Sequence, residues 1–251
     1  MAINTDKNSY TVLFSVIMVI VVGSLLAGIA QGFKGKIDEN KRVEKQQNIL
    51  YAMGVHNNEG DSDVNFIPAN VVGASFKEYI KKQLVIQGDQ VSEDPEAYLI
   101  DIKKEEAMAK NKKTPYVRRL PLFIGEKEGN TYYIIPMRGK GLWDAIWGFV
   151  ALDSNLIVQG IFFDHKGETP GLGSNIKERY FMDDFQGENL FEGEEFKGID
   201  VAKGNNDPLN KDKEDNEVDA LAGATITGDG LAAMIKKDIK MYIPYLKNIK
   251  N

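Results

Sequence analysis

The chain has 251 residues, a net charge of −6 and no cysteine. Its acidic balance argues against nucleic acid as a partner, and the missing thiols exclude disulfides, thiolate metal sites and cysteine nucleophiles. His56 and His165 are the only histidines, too few for a histidine-rich metal site.

Residues 8–33 carry no charge, and their centre, from Val12 to Val22, is strongly apolar. The run exceeds the ~20 residues needed to span a bilayer. Gly23, Ala27 and Gly28 are small enough for another helix to approach. A cleaved signal peptide is the competing reading, but it calls for a shorter apolar core and a basic leader. Lys7 is the only basic residue before the run, so a retained anchor over 1–34 in membrane lipid is expected. Roughly 200 residues remain, enough for one domain with its own core. Lys34, Lys36, Lys41, Arg42 and Lys45 follow the span, and this basic tally would place the next domain in the cytoplasm.

Residues 35–54 read as a charged helical stalk with a thin apolar stripe of Val43, Ile49, Leu50 and Met53. The domain proper is then 55–251. His56 falls in a glycine- and asparagine-rich loop and is expected at the surface. Phe76, Tyr79, Ile80 and Leu84 predict an amphipathic helix over 74–84. The charges of 103–113 predict a solvated face. Residues 120–123 and 131–135 predict strands around a turn at 125–130. Residues 147–152 and 156–163 flank Asp153-Ser154-Asn155 and predict a hairpin. Its imperfect alternation predicts at least one strand covered on both faces. A helix is expected from Ser174 to about Phe181. Residues 183–218, acidic and rich in glycine and asparagine, predict loops or a hairpin. The last helix is expected over 231–246.

Two stretches carry chemistry. In Asp219-Ala220-Leu221-Ala222-Gly223-Ala224-Thr225-Ile226-Thr227, Gly223 and Ala224 leave room for a bulky group and Thr225 offers a hydroxyl. Thr227 is placed to cap the helix that follows. A helix N-terminus presents free N–H groups that suit a phosphate. A strand, a glycine turn and a capped helix is the other reading. In Glu168-Thr169-Pro170-Gly171-Leu172-Gly173 the proline and glycines make a rigid turn open to a flat ligand. An ordinary strand-to-helix turn capped by Ser174 fits as well. Trp143 is either a stacking residue or a core or surface aromatic. Trp147 lies nearer a strand and reads as core. Arg138 and Lys140 suit either a phosphate or a solvated loop.

The first stretch resembles the covalent flavin-attachment motif of the FMN-binding domain family, found in bacterial electron-transfer complexes. Ala222 departs from it, standing where the family usually has Ser or Thr. The second stretch, the Gly139-Lys140-Gly141-Leu142-Trp143 segment, the Gly148-Phe149-Val150-Ala151-Leu152 strand and the single anchor resemble the NqrC family, the C subunits of sodium-translocating NADH:quinone reductases. The G subunit of Rnf-type complexes, which move electrons between ferredoxin and NAD, is the nearest alternative. A cofactor-free anchored assembly subunit is another.

The resemblance implies an α+β fold, a twisted antiparallel sheet with packed helices on one N-terminal transmembrane helix. It implies FMN held through a phosphoester to Thr225, with Gly223, Ala224 and Thr227 beside the bond. Trp143, Glu168, Thr169, Gly171, Leu172 and Gly173 would meet the ring, the turn's backbone amides donating to the flavin. His165 lies close by, with no catalytic role assigned. The implied partners are the other subunits of a membrane complex that oxidises NADH, reduces quinone and exports sodium, and a flavin transferase for maturation. The NADH site and iron–sulfur centre fall to other subunits. The resemblance also places the domain outside the cytoplasmic membrane, against the basic tally.

Overall fold

A computed structural model describes residues 7–60, 62–111, 113–204, 207 and 210–250. The uncharged run and the charged segment after it form one helix, α1 (Asn8–Ala52). It is the one helix among the described residues long and apolar enough to cross a membrane. Its apolar part, including Leu13, Val19 and Leu26, is exposed.

The chain divides into two compact units, Met1–Val43 and Glu44–Asn251. The second unit therefore takes the last turns of α1, where Asn48–Ala52 are buried. The stripe read as a stalk is core there: Ile49 and Leu50 are fully buried and Met53 nearly so. Gly160 admits the helix end, because a Cβ at that position would lie 2.5 Å from the Ala52 carbonyl oxygen. Tyr51 packs edge-on against Phe162 with centroids 5.8 Å apart. His56 folds back onto Tyr51, at 4.9 Å between rings, and is half-buried rather than a free surface residue. Burial, with Lys127 and Arg179 adding to it, lowers its pKa.

After α1 come α2 (Val72–Tyr79), β1 (Ile80–Gln87), β2 (Gln90–Glu93) and α3 (Ile102–Lys110). Four long strands follow: β3 (Leu120–Lys127), β4 (Asn130–Lys140), β5 (Ala145–Leu152) and β6 (Val158–His165). Then come α4 (Arg179–Asp183), a short hairpin of β7 (Phe191–Glu192) and β8 (Glu195–Phe196), and the paired β9 (Asp200–Val201) and β10 (Glu217–Val218). The chain closes with α5 (Thr225–Lys240) and α6 (Ile243–Lys250). The main sheet is antiparallel in the order β2-β1-β3-β4-β5-β6. This is the expected α+β architecture.

The β3–β4 turn is tighter than expected, since Lys127 pairs directly with Asn130. Glu128 and Gly129, at φ 53° and 80°, make the two-residue loop, whose twist suits a hairpin. Strand β5 is covered on both faces, with only Trp147 partly open. The end of α1 lies on one face of the sheet through Gly160. On the other, Phe163 meets Phe185 at 5.2 Å and Gly139 faces Met234 of α5.

Three expected helices are redrawn. The 74–84 helix stops at Tyr79, and Ile80 and Leu84 belong to β1. A spacing of four fits both periods, and the Leu84-Val85-Ile86 run pairs along β3 instead. The helix expected from Ser174 is a 3-10 turn, Gly173–Lys177, and the short α4, separated by Glu178 in extended conformation. The last helix begins at Thr225 and is interrupted after Lys240. There Tyr242 is buried and donates its hydroxyl to the Pro121 carbonyl at 3.0 Å. The charged face of α3 also holds an exception. Glu105 is buried and accepts from Arg119 Nη2 at 2.7 Å and Tyr116 at 2.6 Å.

Candidate functional site

Helix α5 lies along β4 because glycines let the two backbones meet. A Cβ at Gly230 would sit 2.3 Å from the Lys140 carbonyl oxygen, and one at Gly139 would sit 2.8 Å from Met234 Cβ. This contact brings the start of α5 to the end of β4, beside the Leu142–Asp144 loop that enters β5. The segment after β6, 166–173, folds onto the same corner.

Thr225 is the first residue of α5 and is exposed. The residue before it, Ala224, is the N-cap and supplies no side-chain cap. The amides of a helix's first turn have no intrahelical partner, so this end offers donors to an anion. Thr227 is not the cap expected from sequence. It lies within the first turn, buried, and donates its hydroxyl to Glu168 Oε2 at 2.7 Å. Residues two apart on a helix lie about 200° apart around its axis, so one hydroxyl faces in and the other out.

Glu168 is buried, and its carboxylate is shared among separate stretches. Oε1 accepts from the Trp143 amide at 2.9 Å and the Asp144 amide at 3.3 Å. Burial works against its charge, but hydrogen bonds from Thr227 and from the amides of Trp143, Asp144 and Leu142 outweigh it and hold the carboxyl below the usual range. The Trp143 indole N–H reaches Thr169 Oγ1 at 3.2 Å, while the ring itself is 67% exposed. His165 Nδ1 accepts from the Glu168 amide at 3.2 Å. Its Nε2 is buried without a hydrogen-bond partner.

The Glu168–Gly173 turn engages several of its own amides. Gly171 donates to Ser174 Oγ, and Leu172 and Ser174 donate to the Thr169 carbonyl. Gly171 and Gly223 both adopt the left-handed region, at φ 75° and 66°, where glycine carries no steric cost. A Cβ at Gly223 would lie 2.8 Å from Leu172 Cδ2, so the two motifs meet there. Gly173 and Ala224 are buried. Leu142, Trp143, Leu172 and Ile226 are exposed apolar side chains on the segments that converge here. The corner thus joins an accessible hydroxyl, a helix N-terminus for a phosphate and apolar surface for a flat ring. These residues fit FMN. No group of acidic or histidine side chains among the described residues suits a metal.

An FMN-binding domain family model matches residues 141–240, which contain both motifs. The C subunit of the Na(+)-translocating NADH-quinone reductase of Neisseria meningitidis serogroup A is 32% identical over 260 residues, covering 100% of this chain and 98% of that protein. The chain belongs to the family of Na(+)-translocating NADH-quinone reductase C subunits. The Haemophilus ducreyi C subunit is 30% identical over 98% of this chain and 96% of its own length. Among solved structures, the C subunit from Parabacteroides distasonis aligns with a TM-score of 0.69 at 27% identity, covering 85% of this chain and 96% of that one. The Shewanella oneidensis NqrC gives 0.64 at 25% identity, covering 83% and 99%.

Leu142 and Ile226, which lie inside the quoted segments but were not among the expected site residues, are also exposed on the segments that meet at this corner. The sequence placed Trp143, Glu168, Thr169, Gly171, Leu172 and Gly173 with Gly223, Ala224, Thr225 and Thr227, and the fold gathers them at one corner. It places Trp147 on β5, partly buried.

Proposed function

We infer that this chain is the FMN-carrying electron-transfer subunit of a sodium-translocating NADH:quinone reductase, with the flavin phosphate esterified to Thr225 Oγ1. FMN supplies reversible one- and two-electron chemistry at a flat ring when bound. The chain's own residues hold it. Thr225 anchors the phosphate at the start of α5, the first-turn amides lie beside that charge, and Trp143 and Leu172 flank the ring. The other subunits supply the NADH site and the quinone and sodium paths, and a flavin transferase completes maturation. The uncharged part of α1, 8–33, forms the anchor, and the flavin domain takes in the last turns of α1 from Glu44 onward. That domain lies on the outer face of the membrane, against the basic residues that follow the span. A bond to Thr225 keeps the cofactor where no cytoplasmic pool can replace it.

The observation that carries the attachment is the contrast between two threonines. Thr225 is exposed at the helix start, while Thr227 is buried with its hydroxyl given to Glu168. Co-expression with the flavin transferase, followed by in-gel flavin fluorescence and peptide mass mapping, tests it. Thr225→Ala is expected to abolish the covalent flavin while the domain stays folded, and Thr225→Ser to retain part of it. Covalent flavin surviving in Thr225→Ala, or mapped to Thr227, overturns the assignment.

A further inference from the structure

Glu168 sits at the centre of the corner without facing open space. It is 4% exposed, and the partners of its carboxylate lie far from it in sequence. Oε1 holds the amides of Trp143 and Asp144, and Oε2 holds the Thr227 hydroxyl 59 residues away. Two glycines are shaped around the same group. A Cβ at Gly141 would lie 2.6 Å from Glu168 Oε1, and one at Gly173 would lie 2.6 Å from Oε2 and 2.7 Å from Thr227 Oγ1. Real Cβ atoms do not approach that closely, so both positions exclude side chains to admit the carboxylate. Gly173, read from sequence as part of a turn open to a flat ligand, is room for Glu168, and Gly141 makes room for the same carboxylate. Gly171, by contrast, has nothing within 4 Å of its would-be Cβ.

A buried carboxylate with several charge-assisted hydrogen bonds is rigid, and losing it leaves its donors unsatisfied. Its tethers run to the two elements that must keep register for a flavin to sit here. One is the loop that presents Leu142 and Trp143. The other is the first turn of α5, where Thr227 faces in and Thr225 faces out. We propose that Glu168 is a positioning residue, whose carboxylate locks the Trp143–Asp144 loop to the first turn of α5 and so fixes Thr225 against the apolar surface that receives the ring. Its functional meaning rests on attachment at Thr225, but the lock itself is testable without flavin.

The test uses the full-length chain in detergent, made with and without the flavin transferase. In the flavin-free protein, hydrogen exchange reads the amides of Trp143 and Asp144. In the flavinylated fraction, flavin fluorescence anisotropy reads how firmly the ring is held. Glu168→Ala is expected to speed exchange at both amides roughly tenfold or more, as befits loss of a charged acceptor, and to lower the anisotropy. Glu168→Gln is expected to recover most of both, because its amide oxygen still accepts from the loop while its NH2 donates to Thr227. Thr227→Val keeps the loop tether and cuts only the one to α5. It is expected to lower the anisotropy with little change in exchange at Trp143, and it carries the comparison if Glu168→Ala does not fold. Wild-type exchange in Glu168→Ala, or wild-type anisotropy in Thr227→Val, overturns the lock. Thr225→Ala separates this from the attachment reading: covalent flavin surviving there refutes the bond, while exchange in flavin-free protein still judges Glu168.

Discussion

Glu188 gives a pH dependence whose sign and size follow from its surroundings. It is fully buried, in the segment that follows α4, where its own carbonyl accepts from Val158 of β6. Oε1 accepts from Asn210 Nδ2 at 2.8 Å and faces Lys213 Nζ at 3.5 Å, while Oε2 is buried with no partner. Burial outweighs those partners and raises its pKa from 4.5 to about 7. The folded state therefore keeps this proton over a range in which the unfolded chain has lost it. The resulting stability is fully present below pH 4.5 and is lost as pH rises to about 7. A rise of about 2.5 pH units corresponds to roughly 3 kcal/mol across that window. Glu188→Gln cannot ionise, so it should match the wild type near pH 4.5 and exceed it at pH 8. The attraction to Lys213 is already counted in that figure, because it opposes the rise. For a domain of this size a gain of ~3 kcal/mol raises Tm by about 6–12 °C. Thermal melts of both proteins from pH 4.5 to pH 8 give the difference profile, and comparing the two cancels other titrating groups such as Asp184. Parallel profiles would refute the account.

Gly148→Ala should destabilise the domain by more than about 2 kcal/mol, since its Cβ would lie 2.2 Å from the Phe162 carbonyl oxygen; a melt within a degree of wild type would contradict this. Gly230→Ala should push α5 off β4, because its Cβ would meet the Lys140 carbonyl at 2.3 Å; flavinylation below wild type in a folded protein is the expected readout, and an unchanged yield would sink it. A reporter fused after Asn251 and active only in the cytoplasm would contradict the proposed topology.

The hairpins were legible because their information is local. Asp153 marks the β5–β6 turn by taking the amides of Asn155 and Ile157 on one oxygen, and the Glu128-Gly129 pair marks the β3–β4 turn. The start of α5 was not legible, because Thr225, Thr227, Gly228 and Gly230 all have weak helix propensity. Gly230 belongs there for a tertiary reason, the Lys140 carbonyl far earlier in the chain. The flavin motifs could be recognised, but not the division of work within them. Whether Glu168 meets a ligand or the protein depends on contacts that close only when β4, β6 and α5 assemble. Glu188 was hidden for a related reason: an acidic stretch reads as solvated, and only the packing against β6 shows that one of its carboxylates is enclosed.

Gly171 and Gly223 allow backbone strain to be separated from contact at the site. Both are left-handed, at φ 75° and 66°, so alanine at either carries a similar backbone cost of about 1–2 kcal/mol. Their surroundings differ. A Cβ at Gly171 meets nothing within 4 Å, whereas one at Gly223 would lie 2.8 Å from Leu172 Cδ2. Leu172 is the far end of a flexible, exposed side chain, so the collision is relieved by moving it rather than by unfolding. That movement shifts apolar surface beside Thr225 without touching the acceptor hydroxyl. Gly223→Ala and Gly171→Ala should therefore melt within about 1 kcal/mol of each other, with the flavin spectrum of Gly223→Ala displaced by the moved Leu172. Gly171→Ala then reports only what the ring itself meets at the turn. A second substitution, Leu172→Ala in the Gly223→Ala background, removes the colliding methyl and should make the two alanine effects converge. If the spectra of Gly223→Ala and wild type coincide in fully flavinylated protein, Leu172 does not border the flavin and the proposed ring position is wrong.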